Sequence, residues 1–366
     1  MKSNPPNILQ IFASRIWGGG EQYVYDLSKR LLEDNYHVYF IQRKSAPITK
    51  QLETLQLSSQ VLPLANCFDG WSIIKIAHLI KKFDIELIHV HQFKDAFIAL
   101  FSRLICRRNV KIVLTRHLVK KAKVNRLYSF LYRQINKIIF VSDLAKNEFL
   151  TAAPPISLNK IITIHNSIYP TLSITEDIDL RTRYNINKQT VILAFTGRLV
   201  KEKGIEVLIE AVKSLKELDF ILLIAGKGEE SYEQFLKDKV KEYDLDNKIL
   251  FSGFIENVHS FIKQIDIGIA PSVWREPFGL SIIEMMQAGK PVITTNNGAQ
   301  TEYITDKWDG VLVPPSDEQA LSKAIHTLLT NEKERLMIGL NAQNTFNQKL
   351  SYAVFYNKIL DVYSNS

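Results

Sequence analysis

The stretch REPFGLSIIE, Arg275 to Glu284, decides how this chain is read. It places two carboxylates, Glu276 and Glu284, around a turn that leads into an apolar run. Pro277 and Gly279 suit the turn, and a helix is expected to start near Leu280 and to end at Gly289, before the strand-like PVITT. Upstream, DIGIAPS reads as a strand. Where a strand hands over to a helix, free backbone N–H groups and the positive end of the helix dipole favour an anion. Two plain structural readings compete: Ser281 as the N-cap of a capping box closed by Glu284, and Glu276 as a loop carboxylate in water.

The same strand–loop–helix unit recurs outward from this point. FTGRLVKEKGIEVL carries Arg198 and Lys203 in its loop, where a guanidinium fork and an ammonium could cradle a diphosphate. Strand-like runs VILAFTG, DFILLIAG, KILFSG, DIGIA, PVITT and GVLVP alternate with helical segments in the second half. NILQIFAS, HVYFIQ, ELIHVH, VKIVLT and KIIFVS do so in the first, and Val24, Leu27, Leu31 and Leu32 mark the first helix. Such alternation implies parallel sheets covered on both faces, with ligands at the carboxyl ends of the strands. The polar, weakly periodic stretch from Asn166 to Thr190 breaks the rhythm. The expected plan is therefore two doubly wound α/β domains facing each other across a cleft: 1–168, a linker 169–188, and 189–348. A last helix, 349–366, has an apolar stripe of Val354, Phe355, Ile359, Leu360 and Val362.

Charge is unevenly spread. The chain of 366 residues carries a net +8, yet no acidic residue falls between Asp95 and Asp143, a window with eleven Lys and Arg. The remainder of the chain is net negative, so the basicity has a local cause and points to an anionic partner on one face. Its centre, from His117 to Lys137, interleaves Lys120, Lys121, Lys123 and Arg126 with Leu118, Leu127, Tyr128, Phe130, Leu131 and Tyr132. That mixture suits an anionic membrane surface; the plain alternative is that the apolar residues are core and the cations solvated. No recognisable nucleic-acid module accompanies it. No run approaches the length of a membrane helix and the start lacks a secretory pattern, so a cytoplasmic protein, peripheral on the membrane at most, is expected. Cys67 and Cys106 are expected to be free and buried.

Other candidates are weaker taken singly. Gly18, Gly19 and Gly20 allow a close backbone approach but lack dinucleotide spacing. His117 follows a strand end. His89 and His91 share a strand face without a carboxylate or thiol to complete a metal set. The triplet Asp177 to Asp179 lies in the linker, outside the context in which a metal-binding aspartate triplet works.

Together, GGGEQ, TRH, GRLVKEKGIEVLIEA, LLIAGKGEE, ILFSGF, IGIAPSVWREPFGLSIIEMMQAGKPVITT and GVLVPPSDEQAL resemble glycosyltransferase family 4, whose recurrent signature is two glutamates with seven residues between them. The resemblance covers nearly the whole chain. It implies the two-domain GT-B fold, with the C-terminal helix crossing back to the first domain, and a retaining, metal-independent transfer of a hexose-type sugar from a nucleoside diphosphate donor. It assigns Glu284 to the ribose hydroxyls, Glu276 to the transferred sugar, and the backbone of Phe278, Gly279, Leu280 and Ser281 to the sugar or distal phosphate. Arg198 and Lys203 would neutralise the departing diphosphate, Gly19 and Gly20 close on the phosphates, His117 contact the sugar, and Phe254 and Ile255 flank the base. No cofactor or metal is implied, and the acceptor would be a glycan or lipid-linked glycan of the cell envelope. Rival readings are a sugar-nucleotide epimerase of the same fold and a basic surface-binding or nucleic-acid-binding protein with a degenerate enzyme core.

Overall fold

The computed structural model describes residues 5–14, 18–44, 48–55, 57–170 and 179–366. It divides into two compact units, one formed by Met1–Tyr169 with Tyr352–Ser366 and the other by Pro170–Ser351. Residues 171–178 of the linker stretch, and Arg15 to Trp17 ahead of the glycine run, lie outside the described residues, and with them Asp177 of the aspartate triplet. Asp179, the last of that triplet, caps a short helical turn by accepting from the Arg181 N–H.

The first unit holds seven strands: β1 Ile8–Phe12, β2 Val38–Arg43, β3 Ser58–Leu62, β4 Leu87–Val90, β5 Lys111–Arg116, β6 Lys137–Phe140 and β7 Ile161–Thr163. They lie in the order β3-β2-β1-β4-β5-β6-β7 and every pairing is parallel. One face is covered by the helices Gly70–Lys82 and Phe93–Cys106. The other is covered by Gly19–Glu33 and Tyr352–Ser364. Burial on both faces is why β1 is buried at all five positions and reads as a continuous run rather than an alternation. The C-terminal helix does return to the first unit. Its buried stripe is Tyr352, Phe355, Tyr356, Ile359, Val362 and Tyr363, so tyrosines take part of the place expected of Val354 and Leu360.

The second unit holds β8 Val191–Thr196, β9 Phe220–Ala225, β10 Ile249–Gly253, β11 Ile267–Ala270, β12 Val292–Thr295 and β13 Val311–Val313, again all parallel, in the order β10-β9-β8-β11-β12-β13. In each sheet the order reverses beside the first strand, between β1 and β4 and between β8 and β11. A crevice opens at such a reversal, at the carboxyl ends of the strands. Eleven of the strands coincide with apolar runs of the sequence. β3 and β7 do not: both are sheet edges, and four of the five residues of β3 are exposed, so neither needed an apolar pattern. Cys106 is buried as expected, but Cys67 is only half-buried; both are unbridged.

Candidate active site

In the second unit, β8 ends in the loop 197–204 and β11 in the loop 271–279. Gly204, at φ +70°, packs so closely on the second loop that a Cβ would fall 2.0 Å from the Pro271 carbonyl oxygen. The Val273 N–H donates to the Glu202 carbonyl at 2.9 Å. On the far side, Thr295 Oγ1 donates to the Ser272 carbonyl (2.8 Å) and Asn297 Nδ2 to the Val273 carbonyl (3.0 Å). The Ala299 N–H donates to the Glu276 carbonyl at 2.9 Å. The loop that carries Glu276 is thus held from both sides by backbone bonds, which is what a site needing fixed geometry requires.

Glu276 is 8% exposed, so the expectation of a carboxylate in water is corrected. Lys203 Nζ lies 3.0 and 2.9 Å from its two oxygens. Oε2 also accepts from Ser272 Oγ (3.1 Å) and Trp274 Nε1 (2.9 Å). Three donors, one of them charged, fix the carboxylate's orientation. Arg198 stands exposed on the Lys203 loop, five residues from it.

The helix Leu280–Gln287 starts two residues earlier than the capping box would need. Gly279 is its N-cap at φ +91°, and Ser281 lies inside the first turn, so the capping-box reading of Ser281 and Glu284 is corrected. A glycine has no side chain to bond the first N–H groups, and only glycine accepts this backbone conformation without strain. Phe278 is buried, and its carbonyl accepts the Tyr303 O–H at 2.6 Å. Burial, and next the Glu276 carboxylate, push the Tyr303 phenol well above its ordinary value, so it remains a donor. Glu284 is half-buried on this helix, and Phe254 is 64% exposed just past β10, with half-buried Ile255 beside it.

The first unit gathers different groups at its own crevice. Gly18 caps the helix that begins at Gly19, and a Cβ on Gly20 would lie 3.6 Å from the Phe12 ring and 4.0 Å from the His117 ring. His117, half-buried beyond β5, pairs with His91 beyond β4: His117 Nε2 to His91 Nδ1 is 3.3 Å. His91 Nε2 in turn lies 3.0 Å from Gln10 Oε1. His89 places both ring nitrogens 2.7 Å from hydroxyls, Nδ1 from Tyr363 and Nε2 from Thr115, and so has none left for a metal. Burial, then the Arg116 guanidinium, lowers His117 to about 4; burial, then His117, lowers His89 to about 3; burial and both neighbouring histidines put His91 well below its usual value.

The acid-free window divides. Leu131 and Tyr132 are buried core, whereas Leu118, Val124 and Phe130 are 44%, 51% and 39% exposed beside exposed Lys120, Lys121, Lys123 and Arg126. Arg103 and Arg116 are not surface charges: Arg103 bonds the Val110 and Gln134 carbonyls, and Arg116 lies 4.9 Å from the centre of the Phe93 ring. Arg126, Ser129, Phe130 and Arg133 line an open hollow of about 360 Å³. Among the described residues, no helix is long and apolar enough to cross a membrane.

Sequence reasoning misses Ser272, Trp274 and Tyr303 around Glu276, and Gln10 and Thr115 behind His117, and it weighs His91 only beside His89 as a rejected metal ligand. A histidine directly past one strand end (His91) and another past the next (His117) was the available signal, since parallel neighbours bring such positions together.

Two parallel-sheet α/β units, one with a charged site at its strand-order reversal, are the plan of the two-domain GT-B fold. Residues 176–345 match the family model described as glycosyl transferases group 1, and residues 17–172 match that of glycosyltransferase family 4. The chain belongs to glycosyltransferase family 4, and it is a glycosyltransferase. An uncharacterised glycosyltransferase of Methanocaldococcus jannaschii is 26% identical over 320 residues, 81% of each chain. A lipopolysaccharide 1,2-N-acetylglucosaminetransferase of Salmonella typhimurium is 29% identical over 184 residues, 48% of each. The fold is also that of HepE of Anabaena, solved with UDP and glucose, at a TM-score of 0.82 and 20% identity over 99% of this chain and all of that one.

Proposed function

We propose that this chain is a retaining, metal-independent transferase that moves a hexose-type sugar from a nucleoside diphosphate donor to a hydroxyl of a glycan or lipid-linked glycan. The observation that carries the proposal is the Lys203–Glu276 pair, set at the β8/β11 reversal beside the uncapped helix start at Gly279. Cleavage of the bond from anomeric carbon to phosphate builds negative charge on the diphosphate and positive charge on the sugar. Arg198, Lys203 and the N–H groups of Leu280 and Ser281 answer the first. Glu276, pre-aimed by Ser272 and Trp274, answers the second. Glu284 accepts from the ribose hydroxyls, Phe254 and Ile255 flank the base, Gly19 and Gly20 approach the phosphates, and His117 contacts a sugar hydroxyl. The UDP in HepE supports a nucleotide donor, and the Salmonella relative supports an envelope glycan as product.

The exposed cations and apolar side chains around Lys120 to Phe130 then dock the enzyme on the anionic cytoplasmic leaflet, where a lipid-linked acceptor resides. Each cation near such a surface contributes about 1 kcal/mol. Vesicles rich in anionic lipid should bind the protein at low salt and release it at high salt; no binding at low salt contradicts the membrane part alone.

For the transferase reading itself, thermal shifts against UDP, GDP, ADP and TDP and their sugars should single out one base. A ligand at a hundred times its dissociation constant stabilises by about 2.7 kcal/mol. The product formed from that donor, in EDTA, should keep the donor's anomeric configuration. An inverted product, or turnover restored only by a divalent ion, contradicts the retaining, cation-based account.

A further inference from the structure

The groups behind His117 form two short polar chains in the interior of the first unit. From His117 Nε2 the first passes to His91 Nδ1 (3.3 Å), and from His91 Nε2 to Gln10 Oε1 (3.0 Å). Among the described residues, Gln10 Nε2 is buried without a hydrogen-bond partner, so this chain ends at Gln10. The second runs from the Tyr363 hydroxyl of the returning C-terminal helix to His89 Nδ1 (2.7 Å), and from His89 Nε2 to Thr115 Oγ1 (2.7 Å), which Tyr23 approaches at 3.3 Å. Gln10, His89 and Thr115 are fully buried and His91 nearly so. Water therefore does not set the proton positions; each group's partners do.

A neutral imidazole carries one N–H and one lone pair, so a chain of this kind has a direction. Gln10 presents its carbonyl oxygen, which only accepts, to His91 Nε2. His91 then carries its proton on Nε2 and offers a lone pair at Nδ1. The only proton that can lie between His91 Nδ1 and His117 Nε2 belongs to His117. We propose that Gln10 and His91 are positioning residues that hold His117 as the Nε2–H tautomer, so that its Nδ1 accepts a hydrogen bond from a substrate hydroxyl and gives none. His89, between the Tyr363 and Thr115 hydroxyls, has partners that can each donate or accept, so its tautomer is not set by Gln10.

This assigns His117 a role different from that of a triad histidine. There a buried carboxylate faces the ring's far nitrogen and stabilises the imidazolium that forms during proton transfer. Here the far nitrogen faces a second neutral imidazole, which gives no such charge stabilisation. Arg116 next in sequence opposes protonation further, and the low position of His117, at about 4, agrees. A neutral acceptor selects a hydroxyl that can give its proton, and so favours a sugar with a free hydroxyl at this place over one methylated or deoxygenated there. The inference rests on the proposal that His117 contacts a sugar hydroxyl, but the proton positions themselves do not.

Long-range ¹H–¹⁵N correlation spectra of the ¹⁵N-histidine-labelled full chain, without substrate, read the tautomers directly. Ring signals of His89, His91 and His117 are assigned by their loss in single variants. The expected result is Nε2–H for His91 and His117 at pH 7.5. His91→Asn, whose Oδ1 can stand where the imidazole Nδ1 stood, should leave His117 as Nε2–H. His91→Leu removes the acceptor and should convert His117 to a mixture of tautomers, with thermal unfolding checking that the variant folds. A proton on Nδ1 of His117 in the unsubstituted protein would mean that the chain runs the other way, with Gln10 turned over, and would overturn the proposal. So would an unchanged His117 tautomer in a folded His91→Leu protein. Because no donor or acceptor is present, failure of the glycosyl-transfer reading would leave these spectra unaltered, and failure here would leave transfer to be measured separately.

Discussion

The two crevices stand at equivalent places in two similar sheets and are built from opposite materials. In the second unit a charged lysine and a carboxylate meet in a loop cross-braced by backbone bonds. In the first, three histidines, a glutamine, a threonine and two tyrosines form two neutral hydrogen-bonded chains, with burial keeping the imidazoles uncharged. The lesson is that one topology positions side chains without dictating their chemistry. A leaving diphosphate calls for fixed charge; a sugar hydroxyl calls for a neutral partner of defined polarity.

The contrast is broken most severely at Lys203. Lys203→Ala removes the cation and leaves Glu276 with Ser272 and Trp274 alone. Turnover should fall by roughly 10²–10³, the scale for loss of one transition-state donor. Adding Glu276→Leu should recover folding stability, because it removes the carboxylate left partly buried, while turnover stays low. Steady-state rates and denaturation midpoints of the single and double variants check this. Recovery of turnover in the double variant would show the pair to be merely structural.

The glycines give a second, smaller contrast. Gly204→Ala forces an alanine to φ +70° with its Cβ against the Pro271 carbonyl, and should cost roughly 2 kcal/mol or more. Gly20→Ala meets only ordinary contacts with Phe12 and His117 and should fold normally while weakening donor binding. Equal midpoints for the two variants in urea would contradict the view that the second loop pair is the rigid one.

Acid distinguishes the two interiors. The three histidines have folded values below the usual 6.5, so their contribution is fully present above about pH 6.5 and is lost as pH falls. Burial raises Asp26 and Asp95 of the same unit to about 7, with opposite sign: their contribution is present below the ordinary carboxylate value and lost as pH rises toward 7. Between about pH 4 and 6.5 the unfolded chain therefore takes up three histidine protons and gives up two aspartate protons relative to the folded one. The balance of three against two predicts that stability falls on acidification across this window. His117→Asn should flatten that dependence. Unfolding curves between pH 4.5 and 6.5 test it, and an unaltered slope in the variant would contradict the assignment of a neutral His117.

Legibility followed the same division. In the second unit the strand runs, the helix starting at Leu280 with Glu284 on it, and the placement of Arg198, Lys203 and Glu276 in loops after strands could all be read, because local patterns determine them. The Lys203–Glu276 pair itself could not, since 73 residues separate its members. The competing capping-box reading of Ser281 and Glu284 rests on their spacing alone, and the +91° φ of Gly279 places the cap two residues earlier. In the first unit His89, His91 and His117 were visible only as scattered residues. Their meaning depends on Gln10 from β1 and Tyr363 from the last helix, 274 residues beyond His89. The edge strands β3 and β7 escaped because neither is buried on both faces.

The most direct test of the central claim, that the second unit holds a nucleoside diphosphate through its cations and Glu284, is a calorimetric titration of UDP, GDP, ADP and TDP in EDTA. It should be run on the unsubstituted protein, on Lys203→Ala and on Glu284→Gln. One diphosphate should bind the unsubstituted chain, and Glu284→Gln should weaken it roughly tenfold, about 1.4 kcal/mol, with the folding midpoint unchanged. Lys203→Ala should weaken it as well. No binding by any of the four, or equal affinity in all three proteins, would contradict the account.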